Sequence, residues 1–141
     1  MKKLLMLVIA GSLLLSGCSS KSEPSNSSTN ESAAISVPSI DSATFQSKII
    51  SRGVIVLDVR TAGEFKQNHI IDARNIDVDS AEFDTAIGAL DKKATYALYC
   101  QTGRRSAIAY EKMKKAGFLN LYNLEGGMEA WMAAGLPRVG N

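Results

Sequence analysis

The chain has 141 residues, 45% hydrophobic and 21% charged, with 16 Lys and Arg against 14 Asp and Glu, one His and two Cys. That length gives room for one domain. Two cysteines cannot staple a disulfide framework, and a formal charge of +2 gives nucleic-acid binding little electrostatic support.

In chain order, the first segment runs Met1-Lys-Lys-Leu-Leu-Met-Leu-Val-Ile-Ala-Gly-Ser-Leu-Leu-Leu-Ser-Gly-Cys18. Two lysines, an apolar run and small residues form the pattern of a secretory signal over residues 1–17, too short for a spanning helix. Its end, Leu15-Ser16-Gly17-Cys18, resembles the bacterial lipobox. The resemblance implies lipid attachment at Cys18 and a membrane-anchored, extracytoplasmic protein on the periplasmic or cell-surface side. Lys2 and Lys3 would leave with the signal, so 16 basic residues become 14 against 14 acidic. The mature chain is then formally neutral, and no nucleic-acid partner is expected. Cys100 would also lose its only potential disulfide partner. Residues 18–37 are rich in Ser, Asn and Thr. They cannot bury enough surface to offset their ordering entropy, and read as a flexible tether. The folded domain is expected over 38–141.

Within it two periodicities alternate. Ala43, Phe45, Ile49 and Ile50 predict a helix over 42–52, capped at Asp41 or Ser42 and stopped by Gly53. Val54–Asp58 is an apolar strand. Residues 73–76 read as a short strand. Phe83, Ile87 and Leu90 put a helix over 81–90, and Thr95–Tyr99 is a further strand. A helix over 106–116 carries Lys112, Lys114 and Lys115 late, where cations suit the dipole, with Gly117 as its cap. Asn120–Leu124 is a strand and 129–134 a last helix, closed by Gly135 and Pro137. Strands apolar on both faces and separated by helices indicate an α/β fold, a doubly wound parallel sheet with helices on both faces. Ligands in such folds bind beyond the carboxyl ends of strands. Cys100 and Asp58 both lie at such ends.

Cys100 opens the run Cys100-Gln101-Thr102-Gly103-Arg104-Arg105-Ser106. A nucleophilic thiol needs thiolate character. The single histidine, His69, has no sequence feature that brings it to Cys100, and reads as a loop-structuring residue. Activation is therefore expected from the loop: its N–H groups, the helix start, and Arg104 and Arg105. Phosphatase loops follow the pattern Cys, five residues, Arg. Here Arg105 is one position short of that spacing and Ser106 holds the place. A shorter loop has a narrower radius, suited to a persulfide sulfur rather than a phosphate.

The domain resembles a single-domain rhodanese, a sulfurtransferase. Four motifs carry the resemblance in order: Asp58-Val-Arg60-Thr-Ala-Gly-Glu64-Phe, His69-Ile-Ile-Asp-Ala-Arg-Asn75-Ile, the Cys100 loop, and Leu124-Glu-Gly126-Gly127-Met-Glu-Ala-Trp131. Asn68 and Asp72 replace common glycines, and both residue types tolerate left-handed backbone. The resemblance implies that Cys100 takes a sulfane sulfur from a small anionic donor such as thiosulfate and passes it to a thiol or cyanide acceptor. Gln101, Thr102, Gly103, Arg104, Arg105 and Ser106 would bind substrate, with Arg105 in direct contact. Asp58 and Arg60 would support the loop, Arg60 with Glu64 as a partner. Gly126, Gly127 and Trp131 would build a turn and pack the last helix. No cofactor or metal is implied, and a monomer is expected. Three other readings stay open: a persulfide carrier or redox-linked interaction module, a phosphatase or arsenate reductase, and a silent interaction domain.

Overall fold

The computed structural model describes residues 37–140. The signal segment 1–17, Cys18 and the tether as far as residue 36 lie outside the described residues.

The elements run β1 (Ser39–Ile40), α1 (Ser42–Ile49), β2 (Val54–Asp58), α2 (Ala62–Gln67), β3 (Asn68–Ile70), β4 (Arg74–Asn75), α3 (Phe83–Gly88), β5 (Thr95–Tyr99), α4 (Arg104–Lys115), β6 (Asn120–Leu124), α5 (Gly127–Ala133) and β7 (Arg138–Gly140). Five strands form one sheet in the order β1-β6-β5-β2-β4, every pairing parallel. Apolar side chains alternate between its faces, as the two-residue period of a strand requires. Leu57, Tyr96, Leu98 and Cys100 pack with Phe83 and Ile87 of α3 and Ala109 and Met113 of α4. Val56, Ala97 and Tyr99 pack on the other side with Phe45 of α1 and Met128 and Trp131 of α5. The expected α/β fold, a parallel sheet with helices on both faces, is observed.

β2 and β5 pair in step from Val54–Thr95 to Asp58–Tyr99. Asp58 and Cys100 therefore emerge at the same carboxyl edge. The chain leaving β2 turns toward β4, while the chain leaving β5 turns the other way toward β6. This divergence is a topological switch point, where open α/β sheets leave a crevice.

The helices stop where backbone chemistry stops them. Asp41 caps α1 by accepting from Thr44 N–H at 2.9 Å. Beyond α4, Gly117 sits at φ +93, with Gly117 N–H donating to Lys114 O and Phe118 N–H to Met113 O. That paired bonding is a Schellman closure. α4 begins at Arg104, two residues earlier than the apolar periodicity predicts, because charged residues leave no mark on an apolar pattern. α2 and the antiparallel pair β3–β7 were not expected; each is too short for its period to register. Asp72 occupies the left-handed region at φ 62, as its substitution for Gly requires. Asn68 does not: it is extended at φ −159 and opens β3, so no left-handed turn is needed there.

Candidate active site

The Cys100 sulfur is buried, with the residue 1% exposed. Two donors reach it. Gly103 N–H donates to Sγ at 3.1 Å, and the Ser106 hydroxyl approaches at 3.5 Å. Both belong to the start of α4, with Gly103 as N-cap at φ 101 and Ser106 in the first turn. Negative charge on the sulfur therefore faces the positive end of a twelve-residue helix. The Ser106 hydroxyl carries one hydrogen and lies closer to Gly103 O, at 3.0 Å, so it turns that hydrogen either to this carbonyl or to the sulfur. Two groups of the loop that the sequence singled out, Gly103 and Ser106, thus lie against the sulfur.

The loop is braced from two sides. On one, Asp58 and Arg60 are buried, at 0% and 2% exposed. Arg60 Nε donates to both Asp58 oxygens at 3.0 and 3.1 Å, and Nη2 to Oδ2 at 2.7 Å. Its remaining donors reach Gln101 Oε1 at 3.1 Å and Asn68 O at 2.6 Å. Burial opposes the guanidinium charge, but the Asp58 bonds and attraction outweigh it and raise the Arg60 pKa. Asn75 then locks the turn, donating to the carbonyls of Asp58 and Arg60 at 3.0 and 2.7 Å. The expected Arg60–Glu64 pair is not formed. The turn after β2 folds the guanidinium back over Asp58 and leaves Glu64 to another partner.

On the other side, the start of α5 supports the loop backbone. Met128 N–H donates to Cys100 O at 2.8 Å and Glu129 N–H to Gln101 O at 3.1 Å. Gly127 makes this approach possible. A Cβ there would stand 2.5 Å from Cys100 O and 2.7 Å from Gln101 O. Sequence reading assigned Gly126-Gly127 to a turn but missed its contact with the thiol loop. Trp131 is buried in the second core, its indole N–H bonded to Pro137 O at 2.9 Å. It packs, as expected.

Arg104 is exposed. Arg105 is engaged: Nη1 donates to Glu64 Oε2 at 2.8 Å and Nη2 to Glu64 Oε1 at 2.6 Å. This bidentate fork holds the Glu64 carboxyl down at about 2, with the Arg105 bonds as the largest cause, and raises the Arg105 pKa. Glu64 also closes the capping box of α2 with Thr61. The carboxylate was the residue that sequence reasoning underused; its spacing of three from Thr61 was the available signal. His69 lies elsewhere. Its Nδ1 is 2.9 Å from Phe65 O, and its ring stacks on Phe65 at 3.9 Å. Thr102 and Gly103 border a cleft of about 410 Å³ beside the loop. Among the described residues, no group of three or more His, Cys, Asp or Glu is placed to hold a metal ion.

A family profile, Rhodanese-like domain, matches residues 42–134. The chain belongs to the rhodanese family. It is 35% identical over 82 residues to the thiosulfate sulfurtransferase GlpE of Pseudomonas savastanoi, covering 58% of this chain and 76% of that one. It is 33% identical over 99 residues to the putative sulfur carrier protein YrkF of Bacillus subtilis, covering 70% and 52%. A rhodanese-related protein of Thermoplasma volcanium superposes with a TM-score of 0.65 at 33% identity, over 73% of this chain and 98% of that one. Other relatives are longer: the chain spans 47% of a Synechocystis sp. protein to which it is 40% identical over 86 residues. The rhodanese relatives thus include proteins named as sulfurtransferases and as a sulfur carrier.

Proposed function

We propose that the protein is a sulfurtransferase of the thiosulfate type, working through a persulfide on Cys100. The observation that carries this reading is the sulfur itself, held at the start of α4 with Gly103 N–H 3.1 Å away. The Cys100 thiolate attacks the outer sulfur of thiosulfate. An S–S bond forms to Cys100, the sulfur–sulfite bond breaks, and sulfite leaves with the electron pair. Cyanide or a thiolate then attacks the outer sulfur of the persulfide. Thiocyanate or an acceptor persulfide departs and the Cys100 thiolate returns. Gly103 N–H stabilises the anionic sulfur in both half-reactions, joined by Ser106 when its hydroxyl turns from Gly103 O to the sulfur. Asp58 and Arg60 position the loop, Arg60 through its bond to Gln101 Oε1. The donor is a small anionic sulfur compound and the acceptor a thiol or cyanide; the protein acts as a monomer without cofactor.

The test is thiocyanate formation by the purified full-length chain given thiosulfate and cyanide. Activity lost in Cys100→Ser is the expected result, and equal activity in that variant would reject the reading. A second reading, a persulfide carrier with slow turnover of free donor, is favoured by the engagement of Arg105 with Glu64. It predicts a sulfur adduct on Cys100 by mass spectrometry with negligible thiocyanate formation.

The N-terminal pattern supports an anchoring role: a lipid on Cys18 holds the domain outside the cytoplasm at a membrane surface, with the tether as spacer. Incorporation of labelled palmitate, absent in Cys18→Ser, tests it; equal labelling of the variant rejects it.

A further inference from the structure

Arg105 lies on the first turn of α4, the helix whose N-cap Gly103 donates to the Cys100 sulfur. Its fork is already filled. Glu64 presents two carboxylate oxygens at 2.8 and 2.6 Å, the geometry in which a guanidinium holds a bound oxyanion. Glu64 comes from α2, a different segment, and its orientation is fixed from behind. Thr61 Oγ and Thr61 N–H donate to Glu64 Oε2 at 2.8 and 3.1 Å. The first turn of α4 carries no acid of its own. Asp79 adds a further negative field on Arg105, and Arg60 a positive one on Glu64's side. The pair is not sealed: Arg105 is 21% and Glu64 30% exposed, so the fork can open toward solvent.

From this geometry we infer that Glu64 is a selectivity-setting residue, a tethered carboxylate that occupies the anion position on Arg105 and biases the site against free dianionic donors. A dianion such as thiosulfate meets a neutralised guanidinium. It must displace a carboxylate that is held locally and ionised at neutral pH. A sulfane-sulfur donor of lower charge, of the organic persulfide class, does not need that cation and loses little. The inference rests on the sulfur-transfer reading only for the identity of the anion; the electrostatic competition at the mouth stands apart from it.

Glu64→Gln separates the charge from the fold, because glutamine also closes a capping box. The primary test is alkylation of Cys100 in the full-length chain by iodoacetate, an anion, and iodoacetamide, its neutral counterpart. In both reactions the sulfur displaces iodide from the same carbon. The ratio of the two rates therefore cancels changes in sulfur reactivity and reports the field at the mouth. In Glu64→Gln the iodoacetate-to-iodoacetamide ratio is expected to rise about two- to fivefold, the upper range of an exposed ion pair. In an Arg105→Gln background the same substitution should move it less than twofold. A ratio unchanged by Glu64→Gln overturns the inference, and so does an equal rise without Arg105. The second readout is kinetic. KM for thiosulfate should fall by a similar factor in Glu64→Gln, with the change in KM rather than kcat. A purely structural role would lower kcat or melting temperature and leave the ratio where it was. If wild-type protein forms no thiocyanate while the alkylation ratio moves, the sulfur-transfer reading fails and the charge competition stands.

Discussion

Gly127→Ala tests whether the thiol loop is positioned by α5. Gly127 lies at φ +58, where an L residue pays about 1–2 kcal/mol in backbone strain. The added Cβ would also stand 2.5, 2.7 and 2.8 Å from Cys100 O, Gln101 O and Gln101 C, all backbone atoms that cannot rotate away. Moving them breaks the bonds from Met128 and Glu129 N–H groups. A further cost of about 1–3 kcal/mol follows, as for other overpacked sites. Gly135 supplies the control: its φ is +66, but nothing lies within 4 Å of its Cβ position. Gly135→Ala should cost the strain alone. Urea unfolding of both variants measures the difference, and each kcal/mol corresponds to about 4–8 °C in melting temperature for a domain of this size. Gly127→Ala should also lose thiocyanate formation under conditions where it is still folded, because its clash falls on the backbone of Cys100. Equal destabilisation of the two variants, within about 0.5 kcal/mol, would refute the reasoning.

Arg60→Met leaves the buried Asp58 carboxyl without its ion-pair partner, and should destabilise the fold by about 3–5 kcal/mol in denaturant titration; a loss under 1 kcal/mol would show that water reaches the carboxyl group. Glu64 is held at about 2 against an ordinary 4.5, so its pairing is fully present above pH 4.5 and is lost as the pH falls to about 2. Solvent screening reduces this to about 1 kcal/mol; unfolding measured at pH 6 and pH 2.5 should show that increment in wild type and not in Glu64→Gln. His69→Phe should keep sulfur transfer within about twofold, since the ring bonds Phe65 rather than Cys100; a hundredfold loss at unchanged melting temperature would return the histidine to the site.

The legible parts of the fold were those whose burial writes a period into the chain. β2 and β5 follow the apolar runs because the sheet covers them on both faces, while β6 keeps Leu121, Tyr122 and Leu124 around Asn120 and Asn123. The parallel sheet and the carboxyl-edge position of Cys100 follow from those three segments. α2 was not legible, because its order comes from a Thr61–Glu64 cap and not from a buried stripe; it buries no residue. β1, β3 and β7 are two or three residues long and take their order from the partner strand. The charges were harder still. Arg60 and Glu64 are four apart and of opposite sign, the spacing of a helical pair. Arg60 lies before the helix begins, so the rule does not apply, and the partners are set by the bend after Asp58 and by the approach of α4. Pairing across 41 residues, as between Glu64 and Arg105, has no local signature.

The chemistry open to this thiol is narrowed by what surrounds it. Its contacts are donors: a backbone N–H, a hydroxyl and the start of a helix. The one histidine is committed to the Phe65 carbonyl and ring. Such a pocket stabilises an anion on sulfur, but its bonded neighbours include no group that readily protonates a departing alkoxide or amine at neutral pH. Ester, amide and phosphate-monoester cleavage benefit strongly from that proton. Sulfite leaves as a stable anion, and thiocyanate and thiolates do likewise, so sulfur exchange needs no general acid at either step. An arrangement incomplete for hydrolysis is thus compatible with the proposed movement of a sulfur atom between anions. On the inference drawn above, control over which anions react falls to the paired charges of Arg105 and Glu64.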